Sequence, residues 1–155
     1  MSVKTGDGPA AFANGTQTPD WFYDFISAPL TLTNALLADG FVNADTGFMW
    51  KLDLNGVSQV RLTGRVTTAS ASVNSPKLQL RYATAFTTTP ASILQLGESS
   101  VEISMFTGTT TDIQDSGWIN LKAAARIPNC YLMLMNIGGD GAADPVVNQV
   151  IAAFR

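Results

Sequence analysis

Residues 55–66, Asn-Gly-Val-Ser-Gln-Val-Arg-Leu-Thr-Gly-Arg-Val, decide the reading of this chain. Val60, Leu62, Gly64 and Val66 fall on one side of a period-2 pattern. Gln59, Arg61, Thr63 and Arg65 fall on the other. Such alternation is the mark of a half-buried strand. Asn55-Gly56 stands just before it, after the alternating stretch from Phe48 to Leu54. Asn-Gly favours left-handed backbone at both central positions of a type I′ turn, so a β-hairpin is expected here.

The same period extends in both directions. Leu30, Leu32 and Leu36 open a strand upstream, before the turn at Asp39-Gly40. Downstream of Pro76, Leu78, Leu80 and Tyr82 alternate with Lys77, Gln79 and Arg81. Val101, Ile103 and Met105 alternate with Glu102, Ser104 and Phe106, and residues 117–121 read as a short strand. Residues 131–137 are apolar on both faces, as in a central strand between layers. Residues 146–154 form the last strand. Short helical turns are expected only at 92–95 and 122–126. About eight strands with frequent turn signals indicate an all-β protein, an antiparallel β-sandwich that is jelly-roll-like.

The chain has 155 residues, of which 46% are hydrophobic and 14% charged. Its apolar content is enough for a full core, while its charge content is well under the roughly 25% of a typical soluble domain. The surface must be made of neutral polar residues or be partly covered by other chains. A net charge of −3 and scattered Lys and Arg argue against nucleic acid as a partner. No apolar run approaches the ~18 residues of a membrane span. The first residues have no hydrophobic h-region, so no secretion signal is expected.

Residues 1–28 read as an N-terminal arm, with the β-sandwich domain over 29–155. The arm carries an aromatic cluster, Trp21, Phe22, Tyr23 and Phe25, interrupted by Asp20 and Asp24. Four aromatics are too apolar to stand free in water. Either they fold onto the core of their own domain, or they are interface residues that dock on a neighbouring subunit.

The absence of histidine removes the commonest general base and metal ligand, and with it Ser-His-Asp, Cys-His and zinc-type sites. Paired carboxylates occur at Asp20/Asp24, Glu98/Glu102, Asp112/Asp115 and Asp140/Asp144. In a β protein these spacings place them in loops or on solvated faces, so no enzyme activity and no cofactor are expected. Asp140 and Asp144, in a Gly-rich loop, could offer oxygen ligands to a metal such as Ca²⁺. The same loop also reads as a tight connection between core strands. Trp118 and Tyr131 are the candidate ligand-binding aromatics, with burial in the core the competing reading for Trp118. Cys130, the single cysteine, lies in an apolar run and reads as a buried small hydrophobe in a protein made in a reducing cytoplasm.

From Ser116-Gly117-Trp118 to Gly139-Asp140-Gly141-Ala142-Ala143-Asp144-Pro145, the C-terminal half resembles small β-sandwich structural proteins of tailed bacteriophages. Within that group the chain is most similar to capsid decoration (cement) proteins. The likeness lies in Thr/Ser/Ala-rich strands, few charges, no histidine and an N-terminal arm. The arm departs from the pattern in lacking a cluster of charges. The resemblance implies a virion location, assembly in the host cytoplasm, and a role in binding the outer shell and bridging subunits. The implied partners are the major capsid protein or another virion protein and further copies of the chain itself, as a homotrimer. The residues leave a different reading open: a carbohydrate-binding or receptor-binding sandwich domain of a tail fibre or surface protein, using Trp118 or Tyr131.

Overall fold

The computed structural model describes residues 20–26, 30–31, 40–41, 49–68, 77–87, 93–104, 113–137 and 146–155. Among them, two antiparallel sheets of six strands each hold the core, and helix is limited to one 3-10 turn at Ala123–Ala125. The first sheet contains β1 (Trp21–Ile26), β2 (Leu30–Thr31), β5 (Gln59–Thr68), β9 (Ile113–Asp115), β10 (Ile119–Asn120) and β12 (Val146–Phe154). The second contains β3 (Gly40–Phe41), β4 (Trp50–Leu52), β6 (Lys77–Ala83), β7 (Leu94–Gln95), β8 (Glu102–Ser104) and β11 (Cys130–Ile137).

Among the described residues the twelve strands lie along eight tracks, because two strands share each sheet edge. β1 and β2 both pair with β12, and β9 and β10 both pair with β5. In the other sheet β3 and β4 both pair with β11, while β7 and β8 both pair with β6. Across the first sheet the order is β1/β2, β12, β5, β9/β10; across the second it is β3/β4, β11, β6, β7/β8. This is jelly-roll connectivity, in which successive tracks pass between the sheets except at β6 to β7/β8.

The core follows from the alternation. Val60 and Leu62 of β5, with Val150, Ala152 and Phe154 of β12, face Leu78, Leu80 and Tyr82 of β6 and Leu132 and Leu134 of β11. All are buried. Within the strand expected at 131–137, Leu132 to Met135 are buried on both faces. Its outward residues Met133 and Met135 join Met49, Ala83 and Ile93 in a smaller apolar cluster. Cys130 is fully buried, and that apolar setting pushes its thiol up to about 12.

Two local expectations are corrected. Asn55-Gly56 does form a tight turn, closed by Val57 N–H donating to the Leu54 carbonyl at 3.1 Å, with Gly56 at φ 80°. It is not a hairpin, because β4 pairs with β11 while β5 pairs with β12. Leu52, Leu54, Val57 and Val60 are all buried in the core, and burying them carries the chain from one sheet to the other. The helical turn expected at 92–95 gives way at Leu94–Gln95 to β7, paired with Tyr82 and Arg81. Residue 92 lies outside the described residues.

Candidate functional site

The outer face of the β1/β2–β12–β5–β9/β10 sheet carries a groove of about 240 Å³. Its origin lies in the strand register. Phe22 stands opposite Ala153, and Ala153 stands opposite Arg61, so the smallest side chain sits between two large ones. One step along, Ile151 stands opposite Thr63. Thr63, Ile151 and Ala153 make the floor, Phe22 and Trp118 the aromatic walls, and Asp20 and Arg61 the polar rim.

Trp118 reaches this face through a bulge. Asp115 pairs with Thr63 and Ile119 with Val60, so four steps on the edge strand span three on β5. The extra residue is accommodated by Gly117 at φ 69°, a left-handed backbone that residues with a Cβ rarely adopt. The bulge is pinned by Leu62 N–H donating to Ser116 Oγ and by Gly117 N–H donating to Asp115 Oδ1, both at 2.8 Å. As a result Asp115 and Trp118, three residues apart, both serve the outer face. Regular alternation would separate them.

Two arginines rigidify the site. Arg61 donates from Nε to both carboxylate oxygens of Asp115, at 2.9 and 3.0 Å, and from Nη2 to Oδ2. This hydrogen bonding holds the Asp115 carboxyl below its ordinary value and raises Arg61. Arg155 lies over the Trp118 ring, with its guanidinium carbon 4.0 Å from the centroid. Its Nε donates to Gln59 Oε1 at 2.7 Å, which fixes it over the indole.

The aromatic cluster of the N-terminal segment divides between inside and outside. Trp21 and Phe25 are buried in the core of their own chain, so these two expected interface residues are not available for docking. Tyr23 is half-buried against the same core and lies 5.0 Å from Phe25, while Phe25 meets Trp50 edge-on at 4.8 Å. Only Phe22 of the four is exposed, at 41%. Alternation along an edge strand accounts for the division. β1 and β2 lie along the same strand β12, on either side of the expected 28/29 boundary. Residues 1–19 lie outside the described residues.

Trp118 is half-buried in the groove and not in the core, which corrects the core reading: the face it shares with Asn120 is the outer one. Tyr131 is on the outer face of the opposite sheet, packed against the Met133 and Met135 cluster with the Lys51 amine 5.9 Å from its ring centre. The two candidate ligand-binding aromatics are therefore not brought together. Asp140 and Asp144 lie outside the described residues, and among those described no group of three or more metal-ligating side chains occurs. Arg61, Ala153 and Arg155 had no local signal as site residues. Their roles come from cross-strand register, and the one sequence cue nearby is Gly117 beside Trp118.

No protein-family model matches the chain, and no curated protein matches it. The fold and site together define a jelly-roll sandwich with an amphipathic groove on one outer face.

Proposed function

We propose that the chain is a virion structural protein, a capsid decoration or stabilisation protein that binds the outer shell and bridges subunits. The observation that carries this reading is the placement of its exposed large hydrophobics. Ile113, 71% exposed, is on an edge strand of one sheet, and Leu94, 48% exposed, is on an edge strand of the other. Phe86 follows β6 and is 61% exposed. Apolar residues on sheet edges, on a chain with only 14% charged residues, suit lateral contacts with other subunits.

The mechanism is burial of apolar and neutral polar surface without chemistry, in keeping with a chain that has no histidine. A standard interface covers about 800 Å² on each partner, and many copies on one shell multiply its effect. The partners in this reading are the major capsid protein and two further copies of the chain, assembled as a trimer on the particle. Light scattering of the purified chain, together with co-sedimentation on shells assembled without it, tests the proposal. A trimer that binds such shells and raises their melting temperature is the expected result. A monomer that leaves the shells unbound would overturn it.

A further inference from the structure

We propose that the outer-face groove between Phe22 and Trp118 is a binding site for a neutral pyranose unit of a glycan. A pyranose ring has apolar C–H faces and a girdle of hydroxyls that both donate and accept hydrogen bonds. The groove offers the complement of each. Phe22 and Trp118 supply aromatic surface for the C–H faces, over a floor kept low by the small Ala153 methyl. At the rim Asp20 offers acceptor oxygens and Arg61 offers N–H donors, with the Thr63 hydroxyl below them.

The site is organised in advance of any ligand. Asp115 fixes the guanidinium of Arg61 through its Nε and Nη2 edge, yet 41% of the Arg61 side chain remains accessible. Arg155 stacks on Trp118 and is not among the residues that line the groove, so the stack holds the indole without occupying the groove. Holding an aromatic ring in place beforehand lowers the ordering cost of binding.

Charge narrows the ligand class. Arg61 pairs with Asp115 and also feels the charge of Asp20, so these three groups leave the groove with one negative charge in excess. A carboxylate at the rim favours neutral hydroxyls over carboxylated or phosphorylated sugars. Size points the same way: about 240 Å³ is room for a single ring, whereas a protein partner needs a broad surface of about 800 Å².

The test is an NMR titration of the isotope-labelled full chain with the methyl glycosides of galactose, mannose and N-acetylglucosamine, and with N-acetylneuraminic acid. At least one neutral glycoside should move the Trp118 indole and Ala153 amide signals saturably, with a Kd of about 1 mM or tighter. Ala153→Leu, which fills the floor from the solvent side, should weaken that binding at least about tenfold while leaving core signals in place. Phe22→Ser, at an exposed position, should weaken it too and serves if the leucine variant does not fold. The proposal is overturned if no neutral glycoside gives saturable shifts, or if binding survives both substitutions. It is also overturned if N-acetylneuraminic acid binds best, or if the groove signals move on dilution of the protein alone, which would mean that a second copy fills the groove. The outcome is independent of the virion reading, since a sugar-binding monomer that leaves the shells unbound would remove that reading and keep this one.

Discussion

Trp21 and Phe154 stack with their ring centroids 4.5 Å apart and planes 21° from parallel. They are also register partners on β1 and β12, so the contact fastens an edge strand to the centre of its sheet. Trp21 is 2% exposed and Phe154 fully buried. Truncation of such an aromatic costs about 3–5 kcal/mol. Trp21→Ala should therefore lower the free energy of unfolding by that amount in urea titrations. Trp21→Phe should cost far less, because the indole Nε1 is buried with no hydrogen-bond acceptor among the described residues and its removal relieves a desolvation penalty. Equal losses in the two variants would show that the stack contributes little.

Cys130 should behave as a structural thiol. It is fully buried on β11, and desolvation keeps it protonated far above the ordinary thiol range. Ellman's reagent at pH 8 should label it only as fast as the chain unfolds, with full reactivity in denaturant. The linkage has a definite sign. The unfolded thiol ionises near 9 and the folded one near 12, so this group's contribution to stability is complete below pH 9 and declines as pH rises toward 12. Cys130→Ala should abolish that part of the alkaline decline. Rapid labelling of the native protein would contradict the buried placement.

The Arg61–Asp115 pair should act in the opposite pH range. Its carboxyl is held below the ordinary value by the Arg61 hydrogen bonds, so the folded state favours the ionised form. The stabilisation is present above the unfolded carboxylate value and is lost as pH falls through the lowered folded value. Asp115→Asn should lower the urea midpoint at neutral pH, and its difference from the parent should close on acidification. Both side chains are open to solvent, so the effect is that of a surface pair and should shrink in high salt. A difference that stays constant from neutral to acid pH would count against the pair.

Legibility varied with how much pattern each element carries. The expected last strand, 146–154, matches β12, and alternation placed Val60 and Leu62 of β5 and Leu78, Leu80 and Tyr82 of β6 in the core. Each of these strands is long enough to show two distinct faces. β2, β3, β7 and β10 have two residues each, too few for any period, and they exist through pairing with long neighbours. β9, in a region the alternation left unassigned, has only three residues and likewise exists through pairing with a long neighbour. Asn55-Gly56 specified its turn but not its destination, because turn backbone says nothing about which sheet receives the next strand. In the site, Trp118 was legible as a candidate and its face was not, since inside and outside depend on which neighbours cover the sheet. The Arg61–Asp115 pair joins residues 54 apart in sequence, which no local pattern encodes.

The bulge at Gly117 offers the sharpest check on how the groove is built. With φ at 69° and open space where a Cβ would project, the penalty for substitution there comes from backbone conformation and not from a clash. Gly117→Ala should cost about 1 kcal/mol or more in unfolding experiments, from the strain of a left-handed alanine. Gly117→Asn, despite its larger side chain, should cost less, because asparagine tolerates that region better. Side-chain size alone would give the reverse order. The variants should also differ locally. If alanine relaxes the bulge toward regular pairing, Trp118 moves off the outer face and away from Arg155, so its indole NMR signal should shift toward that of an Arg155→Gln variant. The asparagine variant should keep the parent signal. A Gly117→Ala protein with unchanged stability and an unmoved Trp118 indole would mean that the left-handed turn does not position the groove wall.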